Sequence, residues 1–288
     1  MVILKLKFLG RLNYSKKVFS FHKKKGVLML KRNFLKEKLE SGKAVLGTWS
    51  VIPSSVTTDI IASTGLDFLI IDAEHGPISF ETAQDMVITC ESREVSPVMR
   101  LGGINEADIL KALDIGVHCI QIPNVNNKQD VEKIVRLAKY PPIGLRGFSP
   151  FTRAGSYSIK NAKTLTEKAN KNTLIAINIE GIEAIEDIEN ILKIKELDII
   201  FIGLFDLSKA LGIPGDVDNP KVLEFLKELT IKINNAGKYS GTITTSKEKI
   251  TSFLNINVKY IVHLVDCEML RNAYSDIQQH FDNEIKNV

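Results

Sequence analysis

Eight strand-like runs recur along this chain with helical stretches between most of them, and few folds accept that rhythm. The runs cover residues 44–51, 67–71, 97–101, 117–122, 174–179, 199–202, 239–243 and 260–265. Short apolar runs of this kind read as buried strands. Helical patterns cover residues 55–63, 79–92, 106–113, 128–139, 182–192, 219–234, 247–254 and 268–281. Helix ends carry physical signals. Asn105 stands before Glu106-Ala107-Asp108 as an N-cap with acids in the first turn. Gly116 follows Leu113-Asp114-Ile115 as a helix stop. Eight β–α repeats in 288 residues predict an α/β chain folded as a (β/α)8 barrel, the TIM-barrel architecture, in which about 250 residues form one domain.

The rhythm breaks at residues 140–172. That segment opens Tyr140-Pro141-Pro142-Ile143-Gly144-Leu145-Arg146-Gly147 and continues through Ser149, Thr152, Arg153, Ala154 and Gly155. Proline and glycine disfavour regular structure there. A polar helical stretch then leads to the fifth run. Long irregular loops in compact domains are usually functional or disordered, and the Arg- and Gly-rich half reads as functional.

Composition excludes several classes. No apolar run reaches the roughly 18 residues that a membrane span requires. Cys90, Cys119 and Cys267 are scattered without a Cys-x-x-Cys spacing. Zinc-finger and disulfide frameworks therefore lack support, and a reducing cytoplasm is the expected compartment. The net charge of +4 misleads, because residues 1–28 hold eight Lys/Arg and no acid, which leaves −4 for residues 29–288. An acidic body gives no reason to expect nucleic acid as a partner. The basic start, with Ser15 and Ser20, has three readings: a targeting segment, a disordered arm for an anionic surface, or an over-long start. In the third, Met29 is the working first residue, because organised pattern begins at Met29-Leu30-Lys31-Arg32. Residues 1–28 are accordingly set apart as a basic extension, and residues 29–288 are expected to form a single barrel domain.

Chemistry concentrates where the apolar runs end. Ile70-Ile71-Asp72-Ala73-Glu74-His75-Gly76-Pro77 passes from a buried run into two carboxylates, a histidine and a Gly-Pro turn. The fifth run stops at Glu180, and the sixth reaches Asp206 through a short loop. Barrels of this class place their catalytic groups at the carboxyl ends of strands. Glu180 and Asp206 can hold one hard divalent cation, with other positions left to water and substrate. Magnesium or manganese suits such oxygen donors, and cobalt or zinc can substitute. The plainer reading puts Glu180 in an ordinary turn and Asp206 at the cap of a helix through Leu207-Ser208-Lys209. His75 follows Asp72 by three residues, close enough for the carboxylate to orient the imidazole for proton transfer. Glu74 is an alternative base or a supporting group. Arg100 ends the third run and offers a planar fork to a carboxylate or an enolate oxygen, or else a salt bridge to Asp72 or Asp114. Trp49, the one tryptophan, walls a pocket or fills the core. His22, His118, His263 and His280 have no constellation around them.

Jointly these residues resemble the HpcH/HpaI aldolase family, the class II aldolases of 4-hydroxy-2-oxo acids and 2-keto-3-deoxy sugar acids. The resemblance covers about residues 30–280. Its carriers are Gly47-Thr48-Trp49, Ile71-Asp72-Ala73-Glu74-His75-Gly76-Pro77, Val98-Met99-Arg100, Leu113-Asp114-Ile115-Gly116, and Tyr140-Pro141-Pro142 with Gly144 and Arg146-Gly147. Ile179-Glu180 and Phe201-Ile202-Gly203 with Asp206-Leu207-Ser208 complete the set. The resemblance implies a barrel of the phosphoenolpyruvate/pyruvate-binding type, assembled as a homo-hexamer with the last helix exchanged between neighbours. It implies cleavage of a 2-oxo acid to pyruvate and an aldehyde through a pyruvate enolate. Glu180 and Asp206 would ligate the divalent metal, and Arg100 would stabilise the enolate. His75, oriented by Asp72, would move the hydroxyl proton, with Asp114 supporting that network. Trp49, Ser149, Arg153, Asn178 and Phe205 would contact substrate, with groups around Ser149 and Arg153 holding its carboxylate.

Some positions depart from the family's pattern. Asn178 stands where glutamine is usual, one methylene shorter. Gly203-Leu204-Phe205-Asp206 replaces Gly-Pro-x-Asp, with a bulky Phe205 where a small residue is common, and Leu264 replaces a frequent glycine. None removes an expected ligand or base. Two other functions compete with the aldolase: a citrate-lyase-like or acyl-CoA carbon–carbon lyase on the same metal–enolate site, and a non-catalytic barrel. A CoA enzyme needs a basic groove for phosphates, and none is recognisable beyond the basic start. A class I aldolase needs a Schiff-base lysine at a strand end, and none stands out.

Overall fold

The computed structural model describes residues 32–159 and 162–287. The basic extension at 1–28 and the alternative start at Met29 lie outside the described residues. The described chain runs α1 (Phe34–Glu40), β1 (Val45–Ser50), α2 (Ser55–Ala62), β2 (Phe68–Asp72), α3 (Phe80–Ser92), β3 (Ser96–Arg100), α4 (Glu106–Asp114), β4 (Cys119–Ile122) and α5 (Lys128–Ala138). It continues with α6 (Ala162–Asn172), β5 (Leu174–Ile179), α7 (Ile182–Glu186), α8 (Ile188–Ile191), β6 (Ile199–Ile202), α9 (Leu204–Ala210), α10 (Pro220–Asn235), β7 (Tyr239–Thr244), α11 (Lys247–Asn255), β8 (Tyr260–Val265) and α12 (Asp266–Asn287).

The strands pair in parallel, each with the next, and β8 pairs back onto β1 to close the barrel. This is the (β/α)8 architecture that the eight repeats predict. Successive strand residues point to opposite faces, so their side chains sort into two apolar clusters. Phe68, Ile70, Val98, Ala176, Phe201 and Tyr260 fill the bore, and Leu35 and Leu39 of α1 join them. Leu69, Ile71, Met99, Ile120, Ile177 and Ile200 face outward against Met86, Ile109, Ile134 and Leu226 of the helices. In the bore, Phe68 stacks on Tyr260 with ring centroids 4.1 Å apart. Gly47 makes that stack possible, because a Cβ there would lie 2.4 Å from the Phe68 ring.

Three helices differ from expectation. The stretch 182–192 is two short helices broken at Asp187. The Asp187 carboxylate accepts from the Lys128 N–H at 2.7 Å and from Asn190 Nδ2 at 2.6 Å, so it serves the start of α5 as well as its own turn. The helix carrying Asp206 begins earlier, at Leu204. The last helix extends to Asn287. No helix among the described residues is long and apolar enough to cross a membrane.

This topology fixes which residues share an end of the barrel. Strand-to-helix connections gather at the carboxyl ends of the strands, and helix-to-strand connections at the other end. Asp72, Arg100, Glu180 and Asp206 lie at or just past strand carboxyl ends. The segment after α5 leads toward β5 and therefore belongs to the opposite end.

Candidate active site

Asp72 and Arg100 are register partners on β2 and β3. Arg100 Nε donates to Asp72 Oδ1 at 2.9 Å, and Nη2 donates to Oδ2 at 2.6 Å. This is the two-pronged geometry that a guanidinium makes with a carboxylate. Nη1 stands 2.9 Å from Glu74 Oε2, and the guanidinium carbon lies 4.2 Å over the Trp49 ring. Arg100 is therefore held on three sides, yet Asp72 takes only two of its five N–H donors.

The same carboxylate builds the turn that follows β2. Asp72 Oδ1 accepts the backbone N–H of Glu74 at 3.1 Å and of His75 at 3.3 Å. Gly76 N donates to the Asp72 carbonyl at 3.1 Å. A Cβ on Gly76 would lie 2.4 Å from that carbonyl oxygen, so the turn requires glycine. His75 is presented on this turn with its side chain 71% exposed and Nε2 4.0 Å from Glu74 Oε2. The expected pairing of Asp72 with the imidazole is thus replaced by another arrangement. Asp72 engages Arg100 and positions His75 through the backbone. Trp49 serves both of its candidate roles: it packs edge-on to Phe201, centroids 5.8 Å apart, and carries Arg100 on its face.

Glu180 follows β5, and Asp206 lies in the first turn of α9. Asn178 Nδ2 donates to Glu180 Oε1 at 3.2 Å. Asn178 Oδ1 accepts from Gln121 Nε2 at 2.7 Å, and Gln121 Oε1 accepts from Tyr260 Oη at 3.2 Å. This buried row threads the bore and turns the Asn178 amide toward the carboxylate. Burial raises the Glu180 carboxyl above its usual range, and the charges of Asp206 and Glu74 add to that; the Asn178 hydrogen bond and Arg100 oppose it. A bound cation would relieve both causes. The cap reading of Asp206 fails, because Gly203 is the N-cap of α9 and the helix has no side-chain cap.

Among the described residues no group of three or more His, Cys, Asp or Glu is arranged to hold a metal ion. A structural zinc site needs about four protein ligands. A magnesium-like ion is commonly held by one or two carboxylates, with water and substrate completing the shell. The pair Glu180 and Asp206 matches the second donor set. Trp49, Asp72, His75, Arg100, Asn178, Glu180, Phe205 and Asp206 all line one pocket of about 330 Å³.

Asp114, Ser149 and Arg153 do not join them. Asp114 ends α4 and accepts from Arg146 Nη2 at 2.7 Å. Arg153 Nη1 donates to the Ile115 carbonyl at 2.9 Å, and Nη2 pairs with Glu91. Ser149 Oγ accepts the N–H of Phe151 at 3.3 Å, a contact within its own loop. Arg146, Arg153, Glu91 and His118 line a separate cavity of about 90 Å³. The sequence-based roles of Asp114, Ser149 and Arg153 at the substrate are therefore not met within one chain. Asp114 ends a helix, and Ser149 and Arg153 follow one, so all three lie at the other end of the barrel.

Two supporting residues escaped the sequence reading. Asp266, buried, accepts from Ser50 Oγ at 2.7 Å and from the N–H groups of Val51 and Ile52 at 3.1 Å each, pinning the loop after β1. It follows β8 directly, so the strand-end rule that found Glu180 applied to it too. Gln121 is the one amide of the strand β4, and a lone amide in an otherwise apolar strand was the available signal.

The assembled groups can stabilise negative charge on an oxygen and move a proton beside it. The chain matches the HpcH/HpaI aldolase/citrate lyase family over residues 46–273. It is 29% identical over 252 residues to the 4-hydroxy-2-oxo-heptane-1,7-dioate aldolase of Shigella flexneri, covering 87% of this chain and 94% of that protein. The solved HpcH/HpaI aldolase from Desulfitobacterium hafniense DCB-2 is similar at a TM-score of 0.81 and 29% identity, covering 86% of this chain and 96% of the other. Citrate synthase SbnG is similar at a TM-score of 0.79 and 28% identity, covering 88% and 99%.

Proposed function

Because the chain belongs to the HpcH/HpaI aldolase/citrate lyase family, we propose that its strand-end pocket forms and uses the enolate of pyruvate. The enzyme cleaves 4-hydroxy-2-oxo acids to pyruvate and an aldehyde, or joins the two. The supporting observation is the meeting of Glu180, Asp206, Arg100 and His75 in one pocket. Among the described residues no lysine lines that pocket, which favours an enolate over a Schiff base.

Cleaving the C3–C4 bond leaves an electron pair on the 2-oxo fragment and requires the C4 hydroxyl to give up its proton. Glu180 and Asp206 would hold a divalent cation, magnesium or manganese, which would supply Lewis-acid stabilisation of the developing negative charge. Arg100, locked by Asp72 and Trp49, directs its remaining donors at the oxygen where charge develops, so little reorganisation is needed during reaction. His75 accepts the hydroxyl proton in cleavage and returns it in condensation. Asn178 orients Glu180, while Trp49 and Phe205 bound the substrate.

The test follows deuterium exchange into the pyruvate methyl group by NMR, first with metal-stripped protein and then with added magnesium or manganese. Exchange that needs both the metal and Glu180 supports the reading. A folded protein that shows no exchange with either metal overturns it.

We also propose a homo-oligomer, a hexamer, in which α12 docks on a neighbouring copy. Tyr274, Ile277, Phe281 and Ile285 of α12 are exposed at helical spacing. An apolar slot of about 370 Å³ lies beside its base, lined by Leu46, Ile60, Ile61 and Leu66 among others. Asp114 and the 149–153 segment can reach a strand-end pocket only from another copy. Cys90, Cys119 and Cys267 are free, in keeping with a reducing cytoplasm.

A further inference from the structure

The mouth of the pocket is divided into two sectors. The ends of β2, β3, β5 and β6 supply Asp72, Arg100, Glu180 and Asp206. The next three strands round the closed barrel are β7, β8 and β1; β7 and β8 supply Ile243 and Val265, and Val51 directly follows β1. Leu204 and Phe205, in the first turn of α9, extend this apolar wall to the edge of the charged sector.

We propose that the aldehyde partner of this enzyme is uncharged and apolar, and that Phe205 is the residue that selects it. The inference rests on the enolate reading above. The carboxylate and keto group of the 2-oxo acid belong with the cation and Arg100 in the charged sector. The chain beyond C4 therefore faces the apolar one. A terminal carboxylate placed against Val51, Leu204, Phe205, Ile243 and Val265 would lose its water without gaining a partner from those side chains, which is costly. Arg100 is the one Lys or Arg among the described residues lining the pocket, and Asp72 and Glu74 already flank it on the head-group side. Phe205 is 51% exposed although it borders a site built of carboxylates. It sits in neither of the two buried clusters, so its ring is free to pack on an apolar tail.

The test offers butanal and 4-oxobutanoate to pyruvate and the full-length, manganese-loaded enzyme. The two aldehydes have equal carbon counts and differ by a terminal carboxylate. The expected kcat/KM favours butanal by about tenfold or more, the lower end of the range over which apolar pocket contacts discriminate substrates. Phe205→Arg should move that ratio toward 4-oxobutanoate by about tenfold, and Phe205→Ala should lower it through a raised KM for butanal. Equal values, or a preference for 4-oxobutanoate in the unaltered enzyme, overturn the apolar assignment. A ratio unchanged in both variants overturns the role of Phe205. Pyruvate exchange measured without aldehyde separates the two readings. Exchange without a preference for butanal sinks this inference alone, whereas absence of exchange sinks the enolate reading and this inference with it.

Discussion

Arg100 and Asp72 face each other across β3 and β2 and share two hydrogen bonds, at 2.9 and 2.6 Å. The Asp72 carboxylate also accepts the N–H groups of Glu74 and His75. One buried acid thus orients both the Arg100 guanidinium, proposed to face the enolate, and the turn that carries His75, the proposed base. The fork shape of arginine is what this contact uses. Arg100→Lys keeps the charge and loses the fork. Pyruvate methyl exchange should fall on the order of 10²–10³-fold, the usual loss for one oxyanion donor, with the circular dichroism spectrum retained. Exchange within about threefold of the parent would reduce Arg100 to a structural partner of Asp72.

His75 should matter to one half of the reaction more than the other. Enolisation of pyruvate removes no hydroxyl proton, while cleavage does. His75→Ala is expected to slow cleavage by about 10²-fold or more and exchange by less than about tenfold. Equal losses in the two assays would remove His75 from the proton transfer assigned to it.

Most of the barrel is legible in the sequence because its strands are buried on both faces, and short apolar runs mark them. Pocket residues at the ends of such runs are legible for the same reason: Asp72, Glu180 and Arg100 each sit where an apolar run stops. Asp114, Ser149 and Arg153 are not, since their place depends on which end of the barrel a connection occupies. Family resemblance groups residues that act together without saying which copy of the chain supplies them. The partner of a side chain is harder still. Asp72 lies three residues from His75, but the cross-strand register gives its carboxylate to Arg100, and register is not written in local spacing.

Glu180 makes a prediction about stability. Its folded-state pKa is raised, by burial first and by the charges of Asp206 and Glu74 after it. For a carboxyl raised in this way, the folded state binds the proton more tightly than the unfolded state. The associated stability is present at low pH and is lost as pH rises through the raised pKa. In metal-free protein, Glu180→Gln should therefore leave the melting temperature unchanged near pH 4. Near pH 8 it should raise it, because the neutral amide carries no cost for a buried charge. Saturating manganese should reverse the order by stabilising the parent alone. A variant less stable than the metal-free parent at pH 8 would show that the charged carboxylate is not under strain.

The metal should serve chemistry and not folding. The two apolar clusters and the closed ladder contain neither Glu180 nor Asp206. Chelation is expected to abolish exchange while leaving the far-ultraviolet spectrum unchanged. Asp206→Asn should weaken manganese binding, read by electron paramagnetic resonance, by about tenfold or more, since it removes one of two anionic ligands. Unfolding on chelation would assign the ion a structural role.

Helix α12 gives the last prediction. Tyr274, Ile277, Phe281 and Ile285 are 71, 65, 57 and 57% exposed, and they recur at spacings that place them on one stripe. Burying each apolar side chain contributes about 1.5–3 kcal/mol, so a neighbour that covers the stripe supplies what the monomer lacks. Light scattering on the parent should give a mass several times the 32.1 kDa of one chain. Ile277→Asp with Phe281→Asp places two charges on the stripe and should shift the protein to smaller species, with loss of helical signal confined to about one helix. A parent that runs as a monomer at micromolar concentration would overturn the assembly. A double variant that stays fully assembled would show that other surfaces hold it together.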